Sequence, residues 1–578
     1  MTSPELALTF FSCVFFMGVV AWISWLKTRG EVSTTDGYFM AGRGLTATFI
    51  AGSMLLTNLS AEQLIGLSGS AYGFNMSSMA WEVTAAFSTI CMAFIFLPRY
   101  LAGAFSTLPQ FLAGRFDDDV RRMTVILFMV GYGFVTIPSV LYSGSIAVMQ
   151  IFDVTGLLQV SYSAGLIITT LVIGITGALY AVFGGLKAVA ISDTLNGIGL
   201  LLIGIVVPLL GLSLLGEGSI ARGLVEVTTT ETHKLNAIGA ASDPTPFGTL
   251  FTGMLFANLF YWCTNQYVIQ RALAAKNLAE GQKGVLFAGF FKVMVPFIMM
   301  IPGIIAFHLY GPGLASIDLA YPRLIRDVLP VWAMGFFLAV LLGAVFSSFN
   351  SLLNSAATLF CLDVYAPMRK RPLTDAQMIR TAKVASVVIA LFSFIVAPLL
   401  QYAPDGLWQI IRIFTGFYNI PVIAIVIVGL FTKRVPAIAA KTVIVFHVIS
   451  YGLLQFVFND YIGIHFLHLY GILFALETGI MLAIGVLRPT AQVWEYGQAN
   501  LVDLTPWRFA IPCALTLMSC VIGLYLLFSP IGLVNGPGVA FWLLLAALAL
   551  VNFAAWSTGV RRSMMSIASP RASIEQSQ

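Results

Sequence analysis

Glu82, Lys292 and Arg412 each stand in an otherwise apolar stretch: SSMAWEVTAAF, GFFKVMVPF and LWQIIRIFTGFYNIP. An ionised side chain in such a setting is expensive to bury and is found where it meets an opposite charge, a polar solute or water. Glu82 and Lys292 suit an ion pair with each other, and they equally suit hydrogen bonds to the hydroxyls of a polar solute. The Arg412 guanidinium either reaches water at the mouth of its stretch or forms a two-pronged pair with an anionic group. Uncharged polar residues gather in the same way. Thr57-Asn58-Leu59-Ser60-Ala61-Glu62-Gln63 interrupts one apolar stretch, Asn258 through Gln266 interrupts another, and Ser347, Ser348, Asn350, Ser351, Asn354 and Ser355 stripe a third. Adjacent hydroxyls beside an interrupted helix suit a small hard cation, which seeks several oxygen ligands. Close helix packing through small residues explains the stripe as well. Glu477 reads as an interhelical contact, and Asp193 as a helix cap or a charge that biases a nearby cation.

The elements that must position these groups follow from composition. Of 578 residues, 59% are hydrophobic and only 10% charged, and the mean hydropathy is +0.92. A soluble chain carries about 25% charged residues, so a soluble multidomain enzyme, a disordered chain and a disulfide scaffold are all excluded. The composition specifies an all-α polytopic membrane protein. Fifteen apolar stretches are long enough to cross a bilayer, beginning at 4–26, 46–72 and 76–103 and ending at 538–560. The polar interruptions of 46–72 and 247–274 fall in mid-membrane, where unpaired backbone is tolerated only against protein or a cavity. With the first stretch peripheral, two five-helix halves remain, 46–216 and 247–432, each opening with an interrupted helix. Asn58 and Asn258 then take corresponding places, and paired interruptions of this kind are the sequence pointer to a transporter site. Residues 1–45 form an N-terminal extra span and inner loop, 433–562 about four C-terminal extra spans, and 563–578 a short disordered tail.

Lys and Arg set the orientation. With the N-terminus outside, most of the 30 fall on the inner side, Arg271 among them, and only Arg222, Lys234, Arg323 and Arg326 on the outer side. The six cysteines lie in apolar runs with no metal spacing and read as reduced packing residues. No basic patch for nucleic acid, no repeated channel filter, no catalytic cluster and no obligate protein partner is apparent. The partners that remain are the lipid bilayer and a small solute.

From about Asp36 to Gly429 the chain resembles the sodium/solute symporter family, in its sodium/sugar branch. GYFMAGRGL, TNLSAEQLIGLSGSAYG, GGLKAVAISD, ANLFYWCTNQYVIQRALAAK, FFKVMVPF and FSSFNSLLNSAATLF carry the resemblance, in order along the chain. It implies an inverted repeat of two five-helix halves with broken first helices, working by alternating access in a bacterial inner membrane. It implies sodium as the coupling ion, held by the carbonyls of Leu56, Leu59 and Ala344 and the hydroxyls of Ser347 and Ser348. It implies a sugar or sugar-like solute held by Gln63, Glu82, Asn258, Lys292 and Tyr261, with Trp262 beside the stacking Tyr261. Two solute positions differ from the branch's galactose carriers, Thr136 for Asn and Arg412 for Gln. Arg412 therefore also points to an acidic or sulfated sugar, and a non-sugar organic solute is the remaining alternative.

Overall fold

The computed structural model describes residues 3–28, 35–59, 61–314, 317–369, 373–402, 407–458, 461, 463–491, 493–495 and 501–568. Among these the backbone is helical apart from loops and one isolated parallel bridge between Leu45 and Ala275. Helix α1 (Ser3–Thr28) precedes the first interrupted pair, α2 (Ala47–Asn58) and α3 (Ala61–Gly73). Then come α4 (Met76–Gly103), α5 (Asp118–Ile146), α6 (Tyr162–Ala178) and α7 (Val189–Leu215). The second interrupted pair is α8 (Gly253–Cys263) and α9 (Gln266–Leu273). It is followed by α10 (Leu278–Tyr310), α11 (Val331–Tyr365), α12 (Asp375–Tyr402) and α13 (Leu407–Phe431). The C-terminal spans are α14 (Ala437–Phe456), α15 (Phe466–Leu487), α16 (Ala510–Leu527) and α17 (Val539–Ala568).

Among the described residues, twelve helices are long and apolar enough to cross a membrane. Helix α6 and the two interrupted pairs supply the remaining crossings expected from the sequence. Helices α6 and α7 are joined by helical backbone throughout, yet the chain doubles back between them. Gly177 lies against Phe346 and Phe349, while Asn196 lies against Gly343, on the same stretch of α11. A straight helix would place Gly177 and Asn196 about 28 Å apart along its axis.

The first interruption follows from local chemistry. Thr57 and Asn58 are weak helix formers whose side chains compete for backbone groups. Helix α2 ends there, and Leu59 is extended at φ −77° and ψ 96°. The second interruption falls at Thr264 and Asn265, with Asn265 extended at φ −70° and ψ 115°. Asn258 is thus not at the break, contrary to the expectation from its spacing to Asn58. It lies inside α8, where flanking Leu, Phe and Trp sustain the helix.

Backbone bonds pin the two halves together below these breaks. Leu45 N donates to Ala274 O at 3.1 Å and Lys276 N to Leu45 O at 3.0 Å. The start of α2 is fixed further by Ala47 N donating to Glu280 Oε2 at 2.8 Å.

Candidate functional site

A polar cavity of about 190 Å³ lies where the two interrupted helices face each other. Thr57, Asn58 and Gln63 come from the first interruption, Asn258, Tyr261, Trp262 and Asn265 from the second, and Glu82 from α4. Thr136 from α5, Tyr267 from α9, Ser348 from α11, Thr415, Tyr418 and Asn419 from α13 and Tyr470 from α15 complete the polar lining. The structure thus gathers five of the seven sequence-predicted solute residues on one wall: Gln63, Glu82, Asn258, Tyr261 and Trp262.

Lys292 stands behind that wall, 1% exposed. Its ammonium donates to Glu82 Oε2 and to Asn58 Oδ1, and it sits 5.7 Å from the centre of the Trp262 ring. The other Glu82 oxygen accepts from Gln63 Nε2 at 3.1 Å. A buried carboxylate is satisfied here by one cation and one amide, so the pair is neutral and oriented. Asn258 Nδ2 donates to Thr84 Oγ1 at 2.8 Å. Tyr261 packs edge-on against both Trp262 and Tyr267, with ring centres at 5.5 and 5.7 Å. The resulting shelf offers an apolar face beside hydrogen-bonding edges, a combination that suits a ring bearing hydroxyls. Arg412 falls in α13, but its side chain lies outside the described residues.

The five residues expected to hold a cation also converge. Because α2 stops at Asn58 and Leu59 N closes on Leu55 O, the carbonyls beyond Leu55 lie outside the regular helical ladder. Ser348 Oγ faces two of them, at 3.5 Å from Leu56 O and 3.3 Å from Thr57 O. Leu59 is 1% exposed and closes the turn through Leu55 O, while Ala344 and Ser347 lie on α11, both buried. Ser347 meets the Asp193 carboxylate of α7, and among the described residues Ser347 Oγ and Asp193 Oδ1 have no other close partner. A hydroxyl and a carboxylate next to Ser348 and the carbonyls it faces are the kind of oxygens a small hard cation seeks. Ser348 also lines the cavity, so the residues expected to hold the cation and those expected to hold the solute meet there.

Sequence reasoning missed what lies beneath the cavity. Arg271, expected at the inner flank of its span, is fully buried. Its Nε donates to Ser53 Oγ at 3.1 Å, and its terminal nitrogens donate to Ser351 Oγ and to Tyr267 O. Ser53 in turn donates to Asp193 Oδ2 at 2.6 Å. One guanidinium therefore ties α9 to α2 and α11 and, through Ser53, to α7. Asn265, one residue of the polar run that breaks the second span, accepts from the Tyr132 hydroxyl at 2.5 Å. A π-turn over Gly131–Thr136 brings Tyr132 and Thr136 to this position.

The sequence profile of the sodium:solute symporter family matches residues 38–443. The chain belongs to that family. It is 42% identical over 520 residues to an uncharacterized symporter of Escherichia coli K12, YidK, covering 90% of each chain. It is 31% identical to the sodium/glucose cotransporter of Vibrio parahaemolyticus, over 72% of this chain and 79% of that one. With the human sodium/myo-inositol cotransporter 2 it shares 30% identity, over 73% and 65% of the two chains. In three dimensions it superposes on a Na+-coupled sialic acid symporter with a TM-score of 0.72 at 19% identity, over 84% of this chain and 99% of that one. The fold is accordingly the inverted repeat of two five-helix halves with broken first helices. The symporter is a sodium-coupled, multi-pass membrane transporter and not an enzyme.

Proposed function

We propose that this symporter imports a sugar or sugar-like polyol together with sodium by alternating access. The observation that carries the reading is the shared wall. Ser348 faces the freed carbonyls of Leu56 and Thr57 and also lines the cavity that holds Gln63, Glu82, Asn258 and Tyr261. A cation bound by Leu56, Leu59, Ala344, Ser347 and Ser348 fixes the first interruption, and with it the Thr57, Asn58 and Gln63 edge of the solute cavity. Binding of each ligand thereby favours the other. Amide, carboxylate and phenol groups supply the donors and acceptors for hydroxyls, and Tyr261 with Trp262 supplies the stacking face. Lys292 orients Glu82 and exchanges one of its bonds for a solute hydroxyl. The relatives named as glucose and myo-inositol cotransporters agree with such a cargo.

The remaining assignments belong to the same reading. The halves 46–216 and 247–432 rock about the site, the N-terminus lies outside, and the membrane is the bacterial inner membrane. Counterflow in proteoliposomes loaded in turn with D-glucose, D-galactose, myo-inositol, an acidic hexose and a sulfated hexose tests the cargo. Sodium-dependent exchange of a neutral member is expected. Exchange of only the acidic or sulfated members assigns Arg412 to the solute instead, and exchange of none rejects the sugar reading.

A further inference from the structure

The turn between α11 and α12 gathers charge that neither the solute cavity nor the cation site uses. From Ala366 to Ala385 the sequence holds Arg369, Lys370, Arg371, Arg380 and Lys383 against a single acid, Asp375. Beside this turn lies a second cavity, of about 730 Å³, which shares no residue with the solute cavity. Arg369 and Arg380 both line it, and no acidic residue does.

The shape of this cavity follows from helical register. Gln377, Thr381, Val384 and Val388 line it from α12, and their spacing of three or four residues puts them on one face of that helix. From Gln377 to Ile389 the face runs about 18 Å, slightly more than the hydrocarbon depth of one leaflet, about 15 Å. Phe360 of α11 and Met129 of α5 supply further apolar wall. Val384 and Val388 are 57% and 60% exposed. On a membrane-spanning helix such a surface faces hydrocarbon, out of reach of a soluble partner.

The two guanidiniums are placed to receive an anion. Arg369 donates to the Tyr365 hydroxyl and lies over the Tyr365 ring at 4.6 Å. That double hold fixes the group at the edge of the cavity while most of its five N–H donors stay open. Arg380 is exposed, and among the described residues it has no hydrogen bond or ion pair. Neither guanidinium meets a carboxylate among the described residues. Arg380 stands one helical turn before Val384, so charge heads the groove and apolar surface continues it. A ligand that satisfies both parts carries a phosphate at one end and an alkyl chain at the other.

We propose that this groove binds an anionic phospholipid, its phosphate diester paired with Arg369 and Arg380 and one acyl chain laid along the Gln377–Val388 face of α12. In the orientation proposed above the lipid belongs to the inner leaflet. Its chain packs on Phe360, within the π-turn Leu359–Tyr365 that ends α11, the helix that also carries Ser347 and Ser348. A zwitterionic lipid offers the same phosphate but brings its own cation, so the two guanidiniums favour a headgroup of net negative charge.

Photolabelling of the full-length protein in phosphatidylcholine nanodiscs tests this independently of the cargo and of the orientation. A trace of phosphatidylglycerol or of phosphatidylcholine, each with a diazirine on its acyl chain, is added, and labelled peptides are located by mass spectrometry. In wild type the peptide over 377–389 should take label from phosphatidylglycerol in about fivefold preference or more. The exposed stretch of α17 around Trp542, Leu543 and Leu550 should take both lipids alike. Arg369→Gln with Arg380→Gln should bring the α12 ratio down to that of α17. Val384→Trp fills the groove without touching the charge and should lower labelling by phosphatidylglycerol. Equal labelling of α12 by the two lipids in wild type overturns the proposal, as does a preference that survives the double variant. If the double variant does not fold, Arg380→Gln alone decides, because this side chain holds nothing else among the described residues, and an unchanged ratio there overturns the proposal equally. Soluble glycerol 3-phosphate should leave the labelling as it is; displacement by it would make the site one for a soluble phosphate ester and overturn the lipid assignment.

Discussion

The two interrupted helices occupy corresponding places in the repeat, yet their ends are completed by different chemistry. At the first, charge collects. Lys292 bonds Asn58 and Glu82, Ser348 faces the freed carbonyls, and Asp193 stands nearby on Ser53. At the second, the groups in contact with the break are neutral. Thr264 Oγ1 returns to Phe260 O at 2.8 Å, and Asn265 accepts from Tyr132 at 2.5 Å. The one cation of the second pair, Arg271, sends two of its three contacts to Ser53 and Ser351, away from its own break. A repeat fixes where backbone is freed, and the side chains around each break decide what it serves. In the proposed function the first break serves an ion and the second the face of a solute.

The sharpest way to break that comparison is to remove the charge at the first interruption. Lys292→Ala leaves Glu82 buried with Gln63 as its remaining partner. Stranding one member of a buried pair costs about 3–5 kcal/mol, and unfolding in detergent, followed by tryptophan fluorescence, should show a loss of that size. Exchanging the residues, Glu82→Lys with Lys292→Glu, separates packing from recognition. Stability should return while uptake does not, because the carboxylate no longer faces the cavity. Recovery of normal uptake would make the pair purely structural.

A smaller effect is expected at the cation site. Ser347→Ala with Ser348→Ala removes two of five oxygens, and the sodium concentration for half-maximal uptake should rise about tenfold, or about 1.4 kcal/mol. Thr264→Ala, at the second break, should leave that value where it is. An unchanged sodium half-saturation in a well-expressed double variant would reject the five-oxygen site, and an equal rise in Thr264→Ala would erase the distinction between the breaks.

How much of this was legible depended on how far apart the partners lie in sequence. Both interruptions showed in the chain because a polar run inside an apolar stretch is a local signal. Glu82 and Lys292 showed for the same reason, as isolated charges in apolar surroundings. Arg271 did not, since QYVIQRALAAK reads as the polar flank of a span. Only the fold reveals that Ser53 and Ser351 close around it. Asn258 misled through its spacing to Asn58, although the strong helix contacts of α8 carry the backbone straight past it. The partner of Glu477 was equally hidden, because His447 is an ordinary single histidine until α14 and α15 are laid together.

The smallest effect, and the one that most sharpens the comparison, concerns Tyr132. Its hydroxyl donates to Asn265 Oδ1 at 2.5 Å, and its ring packs edge-on against Tyr267 and Tyr418 at 5.6 and 6.5 Å. Tyr132→Phe keeps the rings and removes the donor. A single buried hydrogen bond contributes about 0.5–1.5 kcal/mol, so the fold should survive with little change in unfolding midpoint. The consequence should fall on the solute side. Asn265 lines the cavity beside Tyr261 and Tyr267, and without its donor the amide is free to turn away from the position a solute hydroxyl requires. The half-saturation for solute should rise about two- to tenfold at an unaltered sodium half-saturation, measured by uptake under a clamped membrane potential. A shift in sodium activation of the same size as the shift for solute would mean that the second break also carries the ion, and the division of labour between the two interruptions would be wrong.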